Sequence, residues 1–244
     1  MMFDREKIIS DVLDKLTDKN ELLYLSLSGS GLHGTATTES DVDVTGVFLP
    51  SKESCILNRA SEAIRFSTGS DDSKNEASDV DTTLWSLQYW LKKVGEGECN
   101  AIDLLYSPSN KGAVLYDTTK LDSIFHYHYR LFNTASYEKK VFGITNSELG
   151  RLNSNTSTDQ RWKGLSHALR HIHQYKHLFD CGEIMYPLSS AAFLRSIKCG
   201  EFPIAALEII IRETLEIVHR FGVTMESNHW LDSAFVDRSI LSLY

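Results

Sequence analysis

The sequence has little of what marks a secreted, membrane-spanning or metal-stapled protein. Its four cysteines, Cys55, Cys99, Cys181 and Cys199, are far apart and form no Cys-x-x-Cys pair. A zinc cluster or disulfide framework is therefore not expected, and a reducing cytoplasm is the simple setting. No apolar run approaches the roughly 20 residues that span a bilayer, so no membrane partner is expected. Met1 to Lys7 is charged and leads into an amphipathic segment, without the apolar stretch and cleavage site of a signal peptide. There is no internal repeat. Excess positive charge is missing too: a net charge of −8 excludes a general nucleic-acid coat.

What is present is enough apolar sequence, 42% of 244 residues, to bury a core in one large domain or two small ones. The charge is uneven. Met1 to Asn110 holds 10 Lys and Arg against 19 Asp and Glu, whereas the remainder holds 15 against 14. The basic excess gathers between His126 and His177, which also carries six histidines. A patch of that kind can hold phosphates even on an acidic protein.

Apolar spacing predicts a helix over Arg5 to Asp18, a strand over Glu21 to Ser28, and a second strand over Asp41 to Leu49 closed by Pro50. Ser67 to Asp79 reads as a loop, Asp79 to Leu84 as a third strand, Trp85 to Val94 as a helix, and Ala101 to Tyr106 as a short helix or strand. Thr145 to Gln160, rich in Asn, Ser and Thr, reads as a loop. Trp162 to Phe179, Ser189 to Lys198 and Pro203 to Phe221 show helical spacing. The expectation is an α+β catalytic unit, residues 1–110, followed by a helical region, residues 111–244, the two packing either separately or as one body.

The informative segment is Leu25 to Phe48, LSLSGSGLHGTATTESDVDVTGVF. Asp41 and Asp43, two apart on a strand, point to one face. Two close carboxylates both stay ionised only with a cation between them. Hard oxygen ligands of this kind suit Mg²⁺ or Mn²⁺ bound with substrate phosphates, the arrangement used in phosphoryl and nucleotidyl transfer. Val42 and Val44 point the other way, into the core. Ten residues separate Asp41 from Gly29-Ser30, a bend where backbone N–H groups and a hydroxyl can meet phosphate oxygens, with Gly31, Gly34 and Thr35 nearby.

A Gly-Ser pair, about ten residues, then Asp-hydrophobic-Asp resembles the signature of the DNA polymerase beta superfamily of nucleotidyltransferases. The fuller string GSGLHGTATTESDVDVTGVFLP is similar to the RNA-repair-pathway polymerase-beta-like family of bacteria and phages, except that Gly31-Leu32 replaces that family's Arg-Ala. Asp81 to Pro108 and Lys163 to Leu188 resemble its later blocks, with Asp103 roughly where the family has Glu. The resemblance implies a short mixed sheet with flanking helices, a nucleoside triphosphate substrate, Mg²⁺ or Mn²⁺ as cofactor, and an RNA 3′ end, such as a damaged tRNA, as acceptor. It also implies a third carboxylate on a neighbouring strand, so that Asp41, Asp43 and Asp81 would be catalytic and metal-binding, with Asp79 the rival for the third place. Nucleotide contacts would come from Gly29, Ser30, Gly34, Thr35, Lys163, His167 and Arg170. Transfer to a protein or small molecule, or an idle regulatory module, are the alternatives.

Lys163, His167, Arg170, His171, Gln174 and His177 recur on one side of a helix, either as a phosphate-facing surface or as a solvated one. A zinc pair from His167 and His171, or from His173 and His177, lacks an evident third ligand. Trp85, Tyr89, Trp90 and Tyr106 could stack a base, but such residues more often serve as core, and the period of the segment holding Trp85 and Trp90 is already explained by packing.

Overall fold

The Leu-rich and Val-rich runs of the first half pair as strands because both of their faces find cover. A computed structural model describes residues 4–16, 19–69, 79–152, 156–224 and 230–244, with the backbone alone at 221–224. Its sheet contains β1 (Glu21–Leu27), β2 (Val42–Leu49), β3 (Ala63–Ser67), β4 (Val80–Ser86) and β5 (Val114–Asp117), in the spatial order β3-β4-β2-β1-β5. β2 runs parallel to β4, and the other neighbours are antiparallel. The sheet is therefore mixed, as expected.

One face is covered by α1 (Arg5–Lys15), whose Ile8 and Val12 meet Leu22, Leu25, Val42, Val44 and Leu84. The carboxylate of Asp4 caps α1 by accepting from Lys7 N–H, a contact that stabilises a helix by about 1 kcal/mol. The other face, with Leu23, Tyr24, Val47 and Trp85, joins a larger core built with α4 (Leu87–Gly95) and α5 (Cys99–Tyr106). That core continues without a break into α7 (Thr134–Arg151), α8 (Thr158–Cys181), α9 (Ala191–Lys198), α10 (Ile204–Thr224) and α11 (Ser233–Leu241). Short helices α2 (Gly29–His33), α3 (Lys52–Ile56) and α6 (Asp122–His126) complete the order.

Several expectations change. Gly29-Ser30 opens a short helix rather than a bare bend. Trp85 lies within a strand that runs to Ser86, rather than starting a helix. The Thr145 to Gln160 loop is helical through Arg151: the buried positions Thr134, Tyr137, Val141, Thr145 and Leu149 keep a helical period, but threonines carry two of them. Only the ends of the Ser67 to Asp79 loop lie within the described residues. β5 lies beyond the division expected at Asn110 yet pairs with β1, and both parts share one core.

α8 holds the longest described run of helix. Ser157 and Gln160 form a reciprocal capping box at its start, and Gly182 ends it in the left-handed conformation. Leu165, Ala168, Leu169, Ile172, Tyr175 and Leu178 are its core stripe. Polar residues on the same helix therefore land at fixed places against the sheet.

Candidate active site

The ends of β1 and β2 are tied by a hydrogen bond from Ser28 N–H to the Asp43 carbonyl at 2.8 Å. The Thr45 hydroxyl donates to the Ser28 hydroxyl at 2.9 Å. Gly29 then takes φ +52°, a left-handed value that favours glycine, and a β-carbon placed there would overlap the Asp43 carboxylate. The close approach of Asp43 to the Gly-Ser segment therefore depends on the missing side chain.

Asp43 and Asp81 are register partners on the adjacent parallel strands β2 and β4, so both project from one face of the sheet. Val42 and Val44 project into the α1 side, as their alternation predicted. Asp41 immediately precedes β2. All three aspartates line a cleft of about 800 Å³ together with Ser28, Gly29, Ser30 and Thr35. Asp79 is not part of that lining, and its carboxylate lies beside Gly69. Burial pushes the Asp43 carboxyl up to about 6, helped by the negative charges of Asp41 and Asp81 and opposed by Lys163 and Lys198.

Among the described residues, no three His, Cys, Asp or Glu side chains already converge on one point as a metal cage. The donors here are hard carboxylate oxygens whose mutual repulsion a cation would relieve. They fit Mg²⁺ or Mn²⁺, which take remaining ligands from water and phosphate oxygens, rather than a fully protein-caged ion.

Helices α7, α8 and α9 form the opposite wall, with Glu148, Arg161, Lys163, His167, Arg170 and Lys198 on the cleft. At its base is a buried polar cluster. Asp103 of α5 accepts from His33 Nε2 at 2.9 Å, Gln174 Nε2 at 2.8 Å and the Tyr186 hydroxyl at 2.7 Å, with Arg170 Nη1 at 3.4 Å. Arg170 also donates to Gln174 Oε1 and to His171 Nε2. Burial alone would raise the Asp103 carboxyl, but His33 and Arg170 hold it well below the usual carboxylate range. Burial and the nearby Arg170 push His33 down to about 4, so its ring is neutral at ordinary pH.

Gly29, Ser30, Thr35, Asp41, Asp43, Asp81, Lys163, His167 and Arg170 all reach the cleft. Gly34 does not. It ends α2 in the left-handed conformation, packed against Pro187 and Ala191. The histidine-rich side of α8 is not solvated as a whole, since Arg170, His171 and Gln174 are buried. His167 and His171 face each other at 3.1 Å, without a third metal-ligating side chain among the described residues. Trp85, Trp90 and Tyr106 are core residues. Sequence reasoning missed Lys198, His33 and Glu148 as cleft residues. It left Asp103 without a role, although a lone acid within Ala101–Tyr106 was a signal.

The fold and family of this chain are nucleotidyltransferase-like. The chain belongs to the family described as RlaP, RNA repair pathway DNA polymerase beta family, whose pattern matches residues 6–210. It is also similar to the uncharacterized 38.9 kDa protein in the nrdC–mobD intergenic region of Enterobacteria phage T4, with 21% identity covering 90% of this chain and 96% of the other. A solved nucleotidyltransferase-like protein from Exiguobacterium sibiricum 255-15 aligns with 89% of this chain and 74% of that one, at 11% identity and a TM-score of 0.35. No helix among the described residues is long and apolar enough to cross a membrane.

Proposed function

We propose that this protein is a Mg²⁺- or Mn²⁺-dependent nucleotidyltransferase that moves a nucleoside monophosphate from a nucleoside triphosphate to a hydroxyl, with an RNA 3′ end, such as that of a damaged tRNA, as acceptor. The observation that carries this reading is the gathering of Asp41, Asp43 and Asp81 on one cleft with Gly29 and Ser30. Repair of RNA as the setting rests on the family's description. A reducing cytoplasm supplies the nucleotide and suits the four free thiols.

In this reading Gly29 and Ser30 bind phosphate oxygens, and Thr35 lies at the same rim. Asp41, Asp43 and Asp81 would hold the cation, whose chemistry is to neutralise charge on the reacting phosphate. The acceptor oxygen forms the new bond to the α-phosphorus, and the α–β bridging bond breaks. Pyrophosphate carries off that bond's electrons, and Asp81 takes the hydroxyl proton directly or through water. The protein's contribution is positioning and charge placement. Residues 1–110 supply the metal-facing carboxylates, and the helices of 111–244 supply the acceptor-facing wall, with Lys163 and His167 turned to phosphates and Arg170 at the cleft floor, its guanidinium held by Asp103 and Gln174.

The test is incubation with each labelled nucleoside triphosphate, Mg²⁺, and separate pools of RNA and protein, comparing the natural chain with Asp43→Ala. Label on RNA 3′ ends that depends on Asp43 is the expected result. Label on protein alone would sink the RNA acceptor and leave transfer standing, and no label on any acceptor would favour an idle regulatory module.

A further inference from the structure

Outside the cleft, the surface carries a row of aromatic rings that the core does not use. His126 ends α6, and Tyr127 leads into a single 3-10 turn over His128–Arg130. Tyr127 is 38% exposed and Trp230 50%, and Tyr129 is half-buried. Ring centres lie 4.6 Å apart from His126 to Tyr127, 6.2 Å from Tyr127 to Tyr129, and 5.8 Å from Tyr129 to Trp230. The backbone fixes the row. Trp230 N–H donates to the Tyr129 carbonyl at 3.1 Å, and Asp232 N–H donates to the Arg130 carbonyl at 2.8 Å. Arg130 pairs with Asp232 and lies over the Phe235 ring. Tyr127, Tyr129 and Trp230 neither line the cleft nor belong to the apolar core.

The row adjoins a basic groove. Leu231, next to Trp230, lies against Gly95 at the end of α4, and Gly97 is seated on the backbone of Ser136 and Tyr137 in α7. A hollow of about 630 Å³ follows, lined by Glu96, Ser136, Lys139, Lys140, Gly143 and Ile144. Lys93 Nζ donates to Glu96 at 2.7 Å, and that bond, then the charges of Lys93, Lys92 and Lys140, lower the Glu96 pKa. Lys140 also meets Glu98 at 3.2 Å. Exposed pairs of this kind are weak, so a phosphate can displace them. Lys92 and Lys139 have no carboxylate within ion-pair distance among the described residues. Four lysines against two glutamates make this surface locally positive on a chain of net charge −8.

We propose that this surface is a track for an unpaired stretch of the acceptor RNA, with bases stacking on Tyr127, Tyr129 and Trp230 and phosphates following Lys92, Lys139 and Lys140. It rests on the reading of RNA as the acceptor. Exposed rings beside lysines suit a single strand, because every base has a π-face and every link carries a charge. A protein contact would use the rings without needing the lysines. Helix α7 joins the groove to the cleft, since it carries Gly143 on one and Arg151 on the other. At about 1.5 Å per residue those two positions lie about 12 Å apart along the helix, which a short length of extended strand spans.

The test uses the full chain and an unstructured RNA of about 12 nucleotides, labelled at its 5′ end and followed by fluorescence anisotropy over a range of salt. Trp230→Leu and Tyr127→Leu keep apolar bulk without a ring. Each is expected to weaken binding about 5- to 150-fold with the salt slope unchanged, while Trp230→Phe stays within a few-fold. Replacing Lys139 and Lys140 together by alanine is expected to lower the slope of log affinity against log salt by about 1.4. Thermal unfolding shows whether each variant folds, and Tyr127→Leu carries the test where Trp230→Leu does not. In transfer assays, Trp230→Leu is expected to raise the KM for RNA and leave the KM for the triphosphate unchanged. No binding of the single strand by the natural chain overturns the track and leaves the rings as a protein contact. Equal binding by the folded Leu variants, or duplex RNA bound as tightly as the single strand, overturns it too. If RNA binding depends on the rings but no label reaches RNA, the transfer reading falls and the track stands. If label reaches RNA with an unchanged KM in folded Trp230→Leu, the track alone falls.

Discussion

The carboxylate of Asp43 fills the space that a side chain at residue 29 would need. A glycine on one strand end and an acid on the next are thus a single steric unit. Gly29→Ala adds a methyl at φ +52°, costing about 1–2 kcal/mol in backbone conformation alone, and it must also displace Asp43. The expected variant folds but transfers at most about one hundredth as fast, a misplacement effect of ordinary size. Melting curves with and without Mg²⁺ check it: the natural chain gains stability from Mg²⁺ and Gly29→Ala does not. An unchanged Mg²⁺ response in the variant contradicts the steric link.

Asp43 should also cost the metal-free fold stability. Its carboxyl is raised to about 6, so the folded state resists its ionisation while the unfolded chain does not. The penalty is absent well below pH 4, grows as pH rises through that interval, and is complete above pH 6. Asp43→Asn is therefore expected to be more stable than the natural chain in EDTA at pH 7.5, by on the order of 2–3 kcal/mol, with the gap closing near pH 4. Denaturant titrations at the two pH values measure this, and equal stability at pH 7.5 counts against the reading.

Asp103 is expected to be the most costly single acid to remove. Asp103→Ala leaves Arg170 buried without its counter-charge and strips His33, Gln174 and Tyr186 of an acceptor, a loss of about 3–5 kcal/mol. Urea midpoints of the two chains test it, and a difference under 1 kcal/mol would remove Asp103 from its structural role.

The buried histidines should make acid weaken the protein before Asp103 takes up its proton. His33 is held neutral down to about pH 4, whereas the unfolded chain takes up that proton near 6.5. Stability is therefore fully present above 6.5 and falls as pH drops toward 4, by on the order of 3 kcal/mol from this group. His171, pushed down by burial and Arg170, adds to the same trend. Asp103, held low, loses its contribution only at more acid pH. Because Asp43 contributes with the opposite sign between pH 6 and 4, the slope is measured from pH 8 to 4 in Asp43→Asn, and it should lessen when His33→Gln is added.

Asp81 and Asp79 should separate sharply in function. Asp81 shares register with Asp43 and faces the cleft, whereas Asp79 lies off the strand end near Gly69. Asp81→Asn is expected to lower transfer at least about a hundredfold, in the range of lost acid–base catalysis, while Asp79→Asn stays within a few-fold. The reverse order of the two rate losses would hand the third position to Asp79.

Much of the site was legible because its chemistry is local. Gly29, Ser30, Asp41 and Asp43 lie within 15 residues of one another, and the valines between the acids announce which way each side chain points. What was not legible is carried by distance in sequence. Lys198 reaches the cleft only through the seating of α9 on Gly34 and Trp162, which no spacing rule encodes. β5 and α7 escaped notice for a different reason: a four-residue edge strand carries almost no period, and a threonine at a buried helical position reads as polar. Arg170 and Gln174 looked like surface because their partners, His33 and Asp103, come from two other helices.

The lateral position of β5 bears on how the chain can be cut. Val114, Tyr116 and Asp117 occupy the outer rim of β1, and Ala113 receives both the Leu27 amide and the Ser26 hydroxyl just ahead of the glycine. A fragment stopping at Asn110 would keep Asp41, Asp43, Asp81 and Asp103 yet bare a strand margin to solvent, inviting self-association. Any excised catalytic piece must therefore carry its neighbour's ribbon with it.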